Sequence, residues 1–197
     1  MKKGEKRKQK LLQIAYKLFL QNGYEDTSVD AIIEEAGIAK GTYYYYFETK
    51  EQMLEEVINM MIEAEMETAG QVLQSPLPAP QKIAGIIGSL RPAPEEAPIE
   101  SALMRPENTL MHSKILKKLS DNVTPLLVKV VEEGIDQDVF SCNNVPERVR
   151  MLLVVSNETF DKGGFTDRDV DVFIDMAEKL LGAKPGTMNF IRELIHS

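Results

Sequence analysis

Apolar residues recur at helical spacing through most of the chain, and that spacing predicts helices rather than strands. Over residues 5–21, Leu11, Leu12, Ile14, Ala15, Leu18 and Phe19 share one side, with Lys and Gln between them. Asn22-Gly23 ends this helix, since a glycine past the last turn accepts the left-handed cap. Thr27 offers an N-cap oxygen for a short helix to about residue 35, with Asp30 as its capping-box-like partner. Ala36-Gly37-Ile38 predicts a tight turn, and a second short helix follows over 40–46. Thr49, with Gln52 three residues on, caps a longer helix reaching about residue 73. Prolines 76, 78, 80, 92, 94 and 98 mark connections around a short helix at 81–90 and a loop at 91–98. Helices are then expected over 101–119 and 120–135, with a break near Pro125, and over 144–161 and 166–181. Thr166 and Asp169 open the last of these as a capping box. No alternating strand pattern occurs, so the expected fold class is all-α.

Composition narrows the function classes. The chain has 197 residues, 43% hydrophobic and 27% charged, the balance of a folded chain and not of a disordered one. No run of 18 apolar residues exists, so no membrane-spanning helix and no membrane partner are expected. The basic start lacks the clean apolar stretch and small-residue cleavage site of a signal peptide. The single Cys142 allows neither an internal disulfide nor a cysteine-based zinc site, which predicts a cytoplasmic protein with no metal and no cofactor.

Charge is distributed unevenly. The net charge is −8, yet residues 1–50 hold nine Lys/Arg against seven Asp/Glu, and the first ten alone hold six against one. A basic head on an acidic body fits one end meeting a polyanion, although a solubilising tail would look the same.

The second short helix sharpens this reading. Lys40-Gly41-Thr42-Tyr43-Tyr44-Tyr45-Tyr46-Phe47 places four tyrosines around every face of one helix, so they cannot all be buried. Rings left outside supply flat apolar area and a hydroxyl able to donate to phosphate. Lys40 and Lys50 add cations on either side. Two short helices joined by a Gly turn behind a basic helix form a helix-turn-helix candidate.

The ordered run from Thr27-Ser28-Val29-Asp30 through Ala36-Gly37-Ile38-Ala39-Lys40-Gly41-Thr42-Tyr43 to Phe47 and Lys50-Glu51-Gln52-Met53-Leu54 resembles the signature of TetR-family transcriptional regulators. The resemblance covers roughly residues 8–58. It implies a homodimer whose subunits each carry a three-helix DNA-binding head, residues 1–48, and a larger helical domain for effector binding and dimerisation, residues 49–197. Carried over residue by residue, Thr27 and Ser28 would meet phosphate at a helix terminus. Lys40 and Gly41 would open the recognition helix, and Thr42 would touch phosphate or base. Tyr44, Tyr45 and Tyr46 would face the backbone and thymine methyls, and Lys50 would pair with phosphate. Tyr43 and Phe47 match core positions, packing against Leu18, Ile32 and Ile38. Two departures are visible: Ala39 stands where a capping serine is frequent, and Ile33 where a small alanine is.

The rest of the chain resembles the family only in length and helical content. Met104, Leu110, Met111 and His112 fall where the family's effector cavity is usually lined, although a lone His is as readily a satisfied core or surface residue. Val149, Leu152, Leu153 and Val155 form one late apolar stripe, and Val170, Phe173, Ile174, Ala177, Leu180 and Leu181 another. In the family such a pair forms a four-helix interface with its mate, which predicts dimer contacts at Leu152, Val155, Val170, Phe173, Ala177, Leu180 and Leu181. The alternative is that both stripes pack internally. An enzyme is disfavoured: Gly85-Ile86-Ile87-Gly88 lacks the lysine and strand of a phosphate loop, and no metal-ligand spacing occurs. A helical dimer that never binds DNA remains the second rival. The expected function is a ligand-responsive DNA-binding regulator, a repressor whose operator is double-stranded DNA and which a small-molecule effector releases.

Overall fold

Start and stop signals divide the chain into helices much as the apolar pattern requires. The computed structural model describes residues 3–160 and 164–196. The expected helix end at Asp161 and Lys2 of the basic head lie outside them. Ten α-helices are present among the described residues: α1 (Lys3–Asn22), α2 (Val29–Ala36), α3 (Lys40–Tyr46), α4 (Lys50–Leu73), α5 (Ala79–Ser89), α6 (Ala97–Leu103), α7 (Thr109–Asp136), α8 (Val145–Phe160), α9 (Asp167–Leu181) and α10 (Phe190–His196). Short 3-10 turns at Pro94–Glu96 and Pro106–Asn108 precede α6 and α7, and no strand occurs among the described residues.

The chain forms two compact units. The first comprises residues up to Ala64 together with Pro92–Lys117, and the second Glu65–Arg91 together with the chain from Lys118 onward. Two of the three boundaries fall inside α4 and α7, and the third falls between Arg91 and Pro92, past the end of α5.

In the first unit α1 packs on α2 and α6, and α2 meets α3. Leu11, Leu12, Ala15 and Phe19 turn inward from α1, with Ile32 from α2 and Met53, Leu54 and Val57 from α4. Ile14 and Leu18 are only half-buried, because Leu12, Ala15 and Phe19 take the inner arc of the helix. Tyr43 and Phe47 are fully buried, as their place in the signature implies. Two further ties close the unit: the Tyr16 hydroxyl donates to Glu96 Oε1 at 2.7 Å, and Arg105 pairs with Glu25 at 2.8 Å.

In the second unit α9 packs on α8 and α10, and α10 on α5. Its core gathers Ile83 and Ile86 of α5, Val130 and Val131 of α7, Val149 of α8, and Val170, Ile174 and Ala177 of α9. The expected capping box opens α9: Asp169 N–H donates to Thr166 Oγ1 at 3.3 Å, and Thr166 N–H donates to Asp169 Oδ2 at 2.7 Å. Gly182 closes α9 at φ 65°, and a Cβ there would collide with the Ser141 carbonyl oxygen. Only glycine satisfies both demands.

Two expectations give way here. The helix does not break at Pro125, because buried Val123 and Leu127 hold α7 on both sides of it. Thr124 Oγ1 donates to the Ser120 carbonyl at 2.6 Å beside the missing proline N–H. Helix α10 is not among the expected helices.

Candidate nucleic-acid interface and effector cavity

The head presents α2, the turn and α3 as a helix-turn-helix. Gly37 makes the turn possible at φ 61°, and its N–H bonds back to Glu34 O and Ile33 O. Ser28, not Thr27, caps α2: Ala31 N–H donates to Ser28 Oγ at 3.0 Å. Thr27 is fully buried, and its hydroxyl donates to the Gly23 carbonyl at 2.7 Å. It therefore holds the α1–α2 turn and cannot reach a phosphate, which corrects the expectation for that residue. Ser28 is exposed beside it. Ala39 caps α3 without a side-chain bond, as its identity dictates.

Burial sorts the four tyrosines. Tyr43 is 0% exposed, Tyr44 46% and Tyr45 80%, while Tyr46 is half-buried. Tyr46 lies edge-to-face with Tyr45, ring centres 4.9 Å apart, and its hydroxyl lies 3.7 Å from where a Cβ on Gly4 would stand. Burial pushes the Tyr43 phenol up to about 12. Gly41 is exposed and Thr42 half-buried. Lys40 is exposed and paired with Asp30 at 3.1 Å, and that hydrogen bond raises the ammonium above its ordinary pKa. A surface pair of this kind is weak enough to exchange for a phosphate.

Lys50 is used differently from the expected phosphate contact. Its ammonium donates to the carbonyls of Tyr24 at 2.9 Å, Glu25 at 3.2 Å and Thr27 at 3.2 Å. It also stands 4.3 Å from the centre of the Tyr24 ring. Three carbonyls and a ring face fill the coordination of one ammonium, so Lys50 locks the loop between α1 and α2 and positions Ser28. Basic residues remain on the surface of α1, where Lys6, Arg7 and Lys10 are exposed. Lys8 pairs with Glu56 at 2.9 Å.

The second unit encloses a cavity of about 260 Å³, lined by α5, α7, α8, α9 and α10 with Arg91 and Phe165. None of the residues expected to line an effector pocket takes part. Met104 is 48% and Leu110 71% exposed, Met111 and His112 are half-buried, and all four belong to the first unit. The actual wall includes Ile87, Phe160, Phe165 and α10 side chains. Sequence offered one usable signal, the lone Arg91 between an apolar helix and a proline run.

Most of the expected dimer stripe faces inward. Val170, Phe173, Ala177 and Leu181 are buried within the subunit, Leu180 is half-buried, and Phe173, Ala177, Leu181 and Leu152 line the cavity. The Phe173 ring meets that of Phe160 edge-on at 5.2 Å. A strong apolar stripe finds a core, and in α9 that core is its own subunit's. Facing outward instead are Met151, Val154 and Val155 of α8 and Val172 of α9, of which Val155 was among the expected contacts.

Residues 11–57 match the family model described as bacterial regulatory proteins, tetR family. The chain is 23% identical to the uncharacterized HTH-type transcriptional regulator YhgD of Bacillus subtilis, over 66% of this chain and 69% of that protein. It is 30% identical to the HTH-type transcriptional repressor KstR2 of Mycolicibacterium smegmatis, over 58% of this chain, and spans about half of that relative's length (52%). Among solved structures, RolR in complex with resorcinol shares the fold at a TM-score of 0.63 and 19% identity, covering 98% of this chain and 94% of that one. The ordered run from the inner face of α1 through the turn to α4 carries the likeness: residues 11–57 match the tetR-family regulatory proteins, and the whole chain shares the fold of solved regulators.

Proposed function

We propose that this regulator is a cytoplasmic repressor that grips an operator in double-stranded DNA as a homodimer and releases it when a small molecule enters the cavity of the second unit. The observation that carries the reading is that cavity, about 260 Å³ and walled almost wholly by apolar side chains, in a chain whose head exposes Tyr44 and Tyr45. KstR2 is named a repressor and RolR holds resorcinol, which supports the same division of labour.

In this reading Ser28, Lys40, Gly41, Thr42, Tyr44, Tyr45 and Tyr46 meet DNA, and Thr27 and Lys50 hold them in place. The outward apolar residues Met151, Val154, Val155 and Val172 are the dimer contacts. A dimer presents two recognition helices to successive major grooves, about 34–36 Å apart. An effector that binds better to a form with different spacing draws the population off DNA, by no more than its differential affinity for the two forms. Among the described residues no helix is long and apolar enough to cross a membrane.

Pull-down of fragmented genomic DNA with the full chain, followed by sequencing, tests the reading. Enrichment of a two-fold-symmetric site is expected, lost in Tyr44→Ala/Tyr45→Ala. Equal recovery by wild type and that variant would overturn it.

A further inference from the structure

The cavity wall contains 19 residues, and only Arg91 and Ser156 among them carry polar side chains. The two differ in what they offer a ligand. Arg91 already has a partner within the protein. Ser156 is half-buried, and its hydroxyl has no hydrogen-bond partner among the described residues. It stands on the inward row of α8 with Val149, Leu152, Leu153 and Phe160, at the three- and four-residue spacing that keeps side chains on one face. A serine or threonine inside a helix can turn its hydroxyl back to the carbonyl four residues earlier, as Thr124 does to Ser120 in α7. Ser156 makes no such bond, so its O–H remains a donor in the cavity wall. Every other wall residue is Ile, Leu, Val, Ala, Met or Phe. An ion entering such a wall loses hydration that these side chains do not replace. A single neutral oxygen loses far less, and recovers it at Ser156.

Size limits the ligand further. A cavity of about 150 Å³ accepts benzene, six heavy atoms, so 260 Å³ corresponds to roughly ten. Resting on the effector role proposed for this cavity, we infer that its ligand is a compact uncharged molecule, an apolar body carrying one acceptor oxygen to which the Ser156 hydroxyl donates. Ser156 thereby sets specificity, since it distinguishes that oxygen from a methyl group of the same shape.

Titration calorimetry on the full chain with acetophenone, isopropylbenzene and benzoate separates the possibilities. The three share nearly one shape and differ at one position, where they carry a carbonyl, a methyl or a charge. Benzoate should bind at least about tenfold more weakly than acetophenone, because its charge is desolvated. Ser156→Ala should weaken acetophenone roughly three- to tenfold, the range for one neutral hydrogen bond, and leave isopropylbenzene unchanged. The same contrast should separate Ser156→Thr from Ser156→Val, which have one shape and differ in the hydroxyl. That pair decides should Ser156→Ala not fold, judged by its melting. Loss of both neutral compounds alike in Ser156→Ala, or of neither, would overturn the Ser156 contact. Benzoate binding as tightly as acetophenone would overturn the uncharged class, and failure of both neutral compounds to bind the wild type would overturn the inferred ligand altogether. The effector reading fails separately, if a compound that binds leaves recovery of genomic fragments in the DNA pull-down unchanged.

Discussion

The head and the body of this regulator carry equally clear apolar stripes, yet the same kind of pattern led to different success in the two. In the head, Tyr43 and Phe47 are buried where the family signature puts them, and Tyr45, two positions from Tyr43, is 80% exposed. In the body, the stripe on α9 is the strongest amphipathic pattern of the unit, and its likeness to the family predicts a partner subunit against it. It lies inside its own, against Phe160 and the wall of a cavity. An apolar face states that something covers it and is silent about what does. A long ordered motif supplies the missing information, and the body has none.

The largest effect should come from testing that difference directly. Phe173→Glu places a charge among Phe160, Val170 and Ala177, and is expected to cost more than about 4 kcal/mol and unfold the body. Val172→Glu, one residue along and 63% exposed, should leave stability within about 0.5 kcal/mol of wild type and shift sedimentation from dimer to monomer. A folded, monomeric Phe173→Glu beside a dimeric Val172→Glu would return the inward stripe to the interface and reverse the comparison.

Lys50 gives the next largest effect. Lys50→Met removes the donor shared by three carbonyls of the α1–α2 loop and should destabilise the head by roughly 2 kcal/mol. The salt slope of DNA binding should not change, whereas loss of a phosphate contact would lower it by about 0.9. A lowered slope with unchanged melting would put Lys50 back at the phosphates. Tyr45→Ala should do the opposite: unchanged melting and roughly tenfold weaker operator binding, about 1.4 kcal/mol. An anisotropy titration giving wild-type affinity would remove Tyr45 from the interface.

These contrasts mark what could be read from sequence. Helix order, the Gly37 turn, the Thr166–Asp169 box and the burial of Tyr43 were legible because each depends on neighbours a few residues away or on the motif. The use of Thr27 was not, because Thr27 and Ser28 are equally good caps and only the path of the turn selects Ser28. Met104, Leu110, Met111 and His112 are expected at a pocket because they are mid-chain and apolar enough, whereas the wall of the cavity in the second unit draws on five helices far apart in sequence. One of them, α10, is not among the helices the sequence pattern predicts. Arg91 was overlooked since a single arginine beside prolines reads as a loop residue until its apolar surroundings are known.

The smallest expected effect tests how the head tolerates an aromatic residue with a polar tip in its core. The Tyr43 hydroxyl is buried and has no hydrogen-bond partner among the described residues. Deleting it should therefore remove a desolvation penalty instead of a bond, and Tyr43→Phe is expected to raise stability by about 1 kcal/mol. The same burial has a signature in alkali. Below pH 10 the phenol is neutral in folded and unfolded chains, and its contribution is constant. Between pH 10 and about 12 the unfolded chain ionises while the folded one does not, so stability falls as pH rises through that window. Tyr16, raised to about 12 chiefly by burial and then by its bond to Glu96, and Tyr24, also raised chiefly by burial, contribute losses of the same sign. Tyr43→Phe should thus remove one part of the alkaline loss, on the order of 1 kcal/mol by pH 11, and leave the rest. Thermal melts of both proteins at pH 8 and pH 11 measure the two effects together. A Tyr43→Phe protein less stable at pH 8 would mean that the hydroxyl has a partner, and the head would then share the body's dependence on contacts the sequence does not announce.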